Sequence, residues 1–193
     1  MPAETKSLCL RDLYIDHLKD LYSAEDQIID ALPHVIAKAN AQKLKESLED
    51  HLQQTIQHME RLDQILSALK ISPQGKKCVG MAGILEEGRE ALAQNVDSSE
   101  LMDAMLIAAC RKVEYYEISA YGTAVAFAEL LNETDALNLL MTTLDEEKKA
   151  QERLTELQPR EMVLGTGTNI FQQPMLKGEP LKEQLKTNDS LGG

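Results

Sequence analysis

Glu25, Glu114, Glu117 and Glu147 stand where the surrounding pattern asks for leucine. Glu25 lies in the row Leu18, Leu21, Glu25, Ile28, Leu32. Glu114 and Glu117 lie in the row Ile107, Cys110, Glu114, Glu117, Tyr121, Ala124, Ala128, Leu131. Glu147 lies in the row Leu137, Leu140, Leu144, Glu147, Gln151, Leu154. Each row advances by three and four residues, the spacing of one face of an α-helix. A lone buried carboxylate costs several kcal/mol unless it is paired or bound to a metal. One glutamate in an apolar stripe commonly sits at the stripe's edge and reaches water. Four at matching depth fit that account poorly and point to metal binding.

The residues around them repeat. Glu25 precedes Gln54 by 29 positions and His58 by 33; Glu117 precedes Glu147 by 30 and Gln151 by 34. Gln54 with His58 and Glu147 with Gln151 are both i, i+4 pairs, neighbours on one helix face. Two such helical hairpins, related by a pseudo-two-fold axis, bring these residues together at mid-bundle. Carboxylate oxygens with one or two imidazoles suit Mn²⁺ or Fe²⁺. The expected ligand set is Glu25, Gln54, His58, Glu114, Glu117, Glu147 and Gln151, holding two divalent ions. His51 lies one heptad before His58 but has no counterpart in the second hairpin. It reads as a helix–helix hydrogen bonder or a group that steadies a ligand. Tyr22 and Tyr121 lie within a turn of Glu25 and Glu117, and read as packing residues able to donate to those carboxylates. Glu86, Glu87 and Glu90 read as a solvated face.

The elements that must position these groups are helices. The first spans about residues 8–40, with a kink or break expected near Leu32 because Pro33 follows it. The second spans 42–70 and stops at Ile71-Ser72-Pro73-Gln74-Gly75. A short helix covers 81–95; Ser98 or Ser99 caps a third long helix running to Leu131; the fourth ends near Leu157. The tight first and last connections make antiparallel hairpins. The connection over residues 71–97 is long enough to cross the length of a bundle, as in ferritin-like topology. The reading is therefore all-α: a four-helix bundle over residues 1–157, with a short extra helix in the crossover. A Pro- and Gly-rich tail follows over 158–193, with one turn of helix expected near Leu181–Leu185.

Composition narrows the function. A net charge of −12 with a pI near 4.8 repels nucleic acid and anionic lipid, so neither is expected as a partner. No apolar run approaches the roughly 20 residues of a membrane span, and the N-terminus has no signal-peptide run. Cys9, Cys78 and Cys110 show no CxxC spacing and read as free thiols in a reducing cytoplasm. No nucleophilic triad, phosphate loop or zinc–cysteine spacing is present.

The segments DLYSAEDQIIDALP, KKCVGMAGILEEGREAL, KVEYYEISAYGTA and LDEEKKAQERLTEL resemble the ferritin-like YciE/YciF family of bacterial stress-associated proteins, over about residues 8–157. The resemblance implies a ferritin-like helical bundle, a homodimer and a dinuclear metal site. Glu25, His58, Glu114, Glu117 and Glu147 fall on the family's acidic and histidine positions. Gln54 stands where Glu is expected and Gln151 where Asp is expected. An amide oxygen ligates more weakly and without charge. The i, i+4 spacing also differs from the i, i+3 Glu-x-x-His of better-known di-iron proteins.

Three functions follow as expectations. The first is a redox protein whose two Fe or Mn ions react with peroxide or dioxygen as a small oxidant. The second is a non-catalytic structural or interaction dimer with a weak or empty site, which Gln54 and Gln151 favour. The third, iron storage in a closed shell, lacks any sequence sign of cage contacts.

Overall fold

The structure, a computed structural model, describes residues 7–158. Five helices cover them: α1 (Leu10–Lys38), α2 (Gln42–Ala68), α3 (Val79–Leu92), α4 (Ser99–Leu130) and α5 (Thr134–Glu156). The expected tail over 158–193, with its turn near Leu181–Leu185, lies outside the described residues except for Gln158. Among the described residues no helix is long and apolar enough to cross a membrane.

α1 packs on α2 and on α4, α2 on α5, and α4 on α5, which closes a ring of four long helices. α3 lies against α1 and α4. This is the ferritin-like arrangement, with the short helix carried in the crossover between the two hairpins. Of the kink or break expected near Leu32, the break does not occur. α1 runs unbroken through Pro33 to Lys38. Pro33 is exposed, so water can serve the Ile29 carbonyl that the missing N–H leaves without a helical partner.

The helix ends are set by local chemistry. The Ser98 hydroxyl accepts from the Leu101 amide at 3.2 Å and caps α4. α2 and α4 each close with a residue in the left-handed region, Lys70 (φ 59°) and Asn132 (φ 57°). The following amides reach back to Leu66 and Ala128, both at 2.9 Å. α2 has no side-chain cap of its own. Asp103 of α4 supplies acceptors instead: its carboxylate accepts from the Asn40 amide at 2.7 Å and the Ala41 amide at 2.8 Å.

The crossover is pinned through the KKC motif. The Cys78 amide donates to the Ser23 hydroxyl at 3.0 Å, and Gln27 donates to the Cys78 carbonyl at 3.1 Å. The Cys78 thiol meets the Tyr116 hydroxyl at 2.9 Å, and that hydroxyl donates to Asp20 at 3.0 Å. Gly80 is needed for this approach, because a Cβ there would sit 2.9 Å from the Tyr116 ring.

The core falls into two apolar halves. One gathers Ile28, Leu32, Leu44, Leu48, Leu106 and Ile107 with Met81 of α3. The other gathers Tyr14, Leu18, Leu21, Leu62, Leu66 and Leu140. Along each long helix the buried polar residues, Asp103 apart, fall between these two sets: Glu25, then His51, Thr55 and His58, then Glu114 and Glu117, then Thr143 and Glu147.

Asp103 generates a prediction. Asp103→Ala leaves two backbone donors of the α1–α2 turn without their acceptor and should lower the unfolding free energy by about 1–3 kcal/mol in urea titrations. Asp103→Asn, which keeps one acceptor oxygen, should lose less. An alanine variant as stable as the parent would show that the turn holds without this clamp.

Candidate metal centre

Six side chains from four helices meet at mid-bundle. α1 contributes Glu25, α2 contributes His51 and His58, α4 contributes Glu114 and Glu117, and α5 contributes Glu147. His51 is the most exposed of them, at 5%. His51 and His58 are two turns apart on one face, and Glu114 and Glu117 one turn apart. The six form two groups. In one, His51, Glu114, Glu117 and Glu147 offer ligand atoms all within 4.8 Å of one another; in the other, Glu25, His58 and Glu147 do the same. Glu147 belongs to both.

A second layer holds the first. His58 Nε2 lies 3.0 Å from Glu146, whose carboxylate is gripped by Arg61 at 2.5 and 3.1 Å. Arg61 also donates to the Thr143 hydroxyl at 3.0 Å. The Arg61 pairing holds the Glu146 carboxyl below its usual range against the effect of its own partial burial. Glu146 is therefore an acceptor, and the proton it takes is on Nε2. That leaves His58 Nδ1 facing the cluster, 2.8 Å from Glu147 and 3.7 Å from Glu25. The Tyr121 hydroxyl donates to Glu25 Oε1. His51 Nε2 lies 3.4 Å from Glu114.

The test of fit is what these atoms lack. Glu25 Oε2, His51 Nδ1, His58 Nδ1, Glu114 Oε2 and both carboxylate oxygens of Glu117 and Glu147 are buried with no hydrogen-bond partner. His58 Nδ1 and Glu147 lie close enough for an ion pair, but the approach is off the hydrogen-bonding direction, so neither atom has a hydrogen bond. Buried polar atoms in proteins are nearly always satisfied. Eight atoms without a hydrogen-bond partner in one place, all of types that ligate metals, fit a metal centre. Four carboxylates carry a charge of −4, which two divalent cations offset. Oxygen with imidazole suits iron or manganese among such ions.

Without a cation the cluster must hold protons. Burial, opposed by the His58 charge and reinforced by Glu147, raises the Glu25 carboxyl to about 8. Glu114 and Glu117 are pushed well up, first by burial and then by the Glu147 charge. Glu147 goes the other way: burial pushes it up, but His58 outweighs burial and holds it low. His58 is raised in return, because Glu147 and Glu25 outweigh its own burial. Burial lowers His51.

Of the residues singled out by spacing, Glu25, His58, Glu114, Glu117 and Glu147 come together. Gln54 and Gln151 do not join them. Gln54 Oε1 accepts from Arg153 at 2.9 Å on the partly exposed side of α2. The Gln151 amide donates to the Tyr115 hydroxyl at 2.7 Å and to Thr155 at 3.1 Å. The inward row of α5 is Ala136, Leu140, Thr143, Glu147, Ala150 and Leu154. Leu137, Leu144 and Gln151 form its half-buried flank. Likewise Thr55, one residue from Gln54, takes the inward place on α2 and turns its hydroxyl to the His51 carbonyl. Spacing undervalued His51, although its seven-residue step from His58 placed it on the inward face. Glu146 and Arg61 left no periodic signal, because both are partly exposed. Tyr22 stands away from the cluster, beside Asp63. Glu86 and Glu87 are exposed and paired with Arg89 and Lys112.

Comparison with known proteins agrees with this architecture. Residues 9–165 match the family described as "Domain of unknown function (DUF892)". Protein YciF of Escherichia coli K12 is 41% identical over 151 residues, covering 77% of this chain and 89% of that protein. The crystal structure of that E. coli stress protein superposes with a TM-score of 0.74 at 38% identity, covering 78% of this chain and 95% of that one. YcfI of Rhodopseudomonas palustris gives a TM-score of 0.77 at 36% identity, over 81% of this chain and 99% of its own. A Bacillus anthracis structure described as ferritin-like and diiron-carboxylate shares the fold at a TM-score of 0.62 and 19% identity, over 79% of this chain and 100% of that one.

The proton inventory predicts how stability varies with pH. Glu25 rises from 4.5 to about 8 on folding, so across that window the folded metal-free protein holds a proton that the unfolded chain has lost. Glu114, Glu117 and His58 act in the same direction. Stability should then fall as pH rises through the window. Glu146 and Glu147, held low, contribute stability that disappears only on acidification below the ordinary carboxylate range. The Tm of EDTA-treated protein is expected to decline from about pH 5 to about pH 8, and saturating Mn²⁺ should flatten or reverse the trend, since metal displaces protons. A metal-free Tm that rises over that range would contradict the assignment of buried, protonated carboxyls.

Proposed function

This chain belongs to the DUF892 family, and we propose that it holds two divalent iron or manganese ions between its long helices and acts on dioxygen or a peroxide. The observation that supports this most directly is the set of eight buried nitrogen and oxygen atoms at mid-bundle, all of ligating types, that have no hydrogen-bond partner. Glu25 and His58 would serve one ion, His51, Glu114 and Glu117 the other, and Glu147 both. A bound pair of this kind supplies Lewis acidity and electrons for chemistry at an oxygen–oxygen bond.

The chain's own residues prepare the place. Glu25, Glu114 and Glu117 would give up their protons to bound cations and, with the already ionised Glu147, would neutralise charge that an apolar pocket could not accept. Glu146, held by Arg61, keeps the proton of His58 on Nε2 and leaves Nδ1 as a ligand atom. Tyr121 fixes Glu25 by its Oε1 and leaves Oε2 unengaged. The two apolar halves on either side exclude water, which strengthens every electrostatic contact between them.

The non-catalytic reading drew on Gln54 and Gln151 as missing charges. Both lie outside the cluster, so it loses that support. The link to stress is stated for E. coli YciF, and we extend it to this chain as part of the proposal, together with a cytoplasmic homodimer. Light scattering on a size-exclusion column should give twice the chain mass; a large closed shell would instead favour storage.

The direct test is metal content after anaerobic loading with Fe²⁺ or Mn²⁺, where about two ions per chain are expected. Protein that retains none would overturn the proposal. Glu147→Gln should remove more metal than any other single substitution, because that residue serves both ions. Glu146→Ala, which touches no ion, should weaken retention about 10–100-fold through loss of His58 orientation.

A further inference from the structure

A pocket of about 480 Å³ opens between α1, α3 and α4 and ends on the cluster. Its size falls within the roughly 300–1,000 Å³ of small-molecule sites. Leu32, Val35, Ile84, Leu85, Leu92 and Val113 furnish apolar wall. At its inner end stand His51 and Glu114, 5% and 1% exposed, whose Nδ1 and Oε2 have no hydrogen-bond partner. Its outer residues include the exposed Lys38 and Arg89, but both are engaged: Lys38 donates to the Leu92 carbonyl at 2.9 Å, and Arg89 pairs with Glu86.

We propose that this pocket binds an aliphatic molecule bearing one terminal neutral hydroxyl-type group, with its chain along the apolar walls and its polar end at His51 and Glu114. Each feature of the occupant answers a feature of the pocket. The walls take a chain and would leave a branched polar body unsolvated. A plain hydrocarbon would leave the two inner polar atoms unpaired. A carboxylate head would set a negative charge beside the carboxyl groups of the cluster, at the end of the pocket away from Lys38 and Arg89. A hydroxyl group both donates and accepts, so it can serve an imidazole nitrogen and a carboxyl oxygen at once. The proposal rests on the metal reading only where it makes this molecule the compound acted on; binding to the pocket needs no metal.

Calorimetric titration of the EDTA-treated full-length protein with 1-octanol and 1-decanol tests it. Binding is expected to tighten about threefold to fourfold for each added methylene. Octanoate should bind about tenfold more weakly than 1-octanol, because burying an uncompensated carboxylate is costly. Ala31 and Ala109 line the pocket on α1 and α4 and belong to no ligand set. Ala31→Leu and Ala109→Leu should each weaken alcohol binding about tenfold or more by occupying the space. Both should retain Mn²⁺ as the parent does, which reads proper folding independently of the pocket. Failure of both alcohols to bind, or binding that ignores both substitutions, overturns the proposal. So does preferential binding of octylamine or octanoate. If Mn²⁺ is retained while no alcohol binds, the pocket assignment falls and the metal reading stands. Alcohol binding that Ala109→Leu abolishes, in a protein that takes up no metal, leaves the pocket assignment and removes the metal reading.

Discussion

Four carboxylates buried in one layer of a helical bundle set the terms for the rest of this molecule. Glu25, Glu117 and Glu147 have no exposed surface and Glu114 has 1%. Desolvating each as an ion costs several kcal/mol, while a whole domain is stable by only about 5–15 kcal/mol. The layer therefore works against folding wherever it is left charged and unpartnered. The metal-free protein meets the cost by keeping protons on Glu25, Glu114 and Glu117 and by setting His58 against Glu147. The apolar halves on either side supply the burial that carries the layer.

The supporting contacts are arranged to keep that layer in register. Asp103 ties the α1–α2 turn to α4, and the Cys78–Tyr116–Asp20 contacts tie the crossover to α4 and α1. Arg61, Glu146 and Thr143 join α2 to α5 beside His58. A shift of one helix by a single residue would rotate its inward face by about 100° and take a ligand atom out of the cluster. The contribution of the helices is also unequal. α2 supplies both imidazoles and α4 two of the carboxylates, so the two hairpins are alike in fold but not in chemistry.

The helices are legible because their apolar rows are long. α1, α2, α4 and α5 lie within a few residues of their expected bounds. Four of the cluster's glutamates and one histidine were legible for the same reason, since an acid in a leucine row is a strong local contrast. Symmetry between the hairpins favours Gln54 and Gln151 and disfavours His51, because only the first two have counterparts at matching spacing. Side-chain direction decides these cases. Gln151 shares the half-buried flank of α5 with Leu137 and Leu144, and Gln54 stands next to the inward Thr55. Pro33 was overvalued as a helix breaker because its exposure could not be read from neighbouring residues.

What the sequence determined by itself was local and periodic: helix positions, the acids that interrupt the apolar rows, and the long crossover that makes the topology ferritin-like. Only the tertiary structure decided which of those groups share a space, that Glu147 is common to both halves of the cluster, and that Glu146 and Arg61 stand behind His58. It alone placed an apolar pocket against His51 and Glu114. The physical reason is that periodicity records which side of a helix meets the core. Distances between atoms on different helices depend on rotation and axial shift, which no single helix encodes.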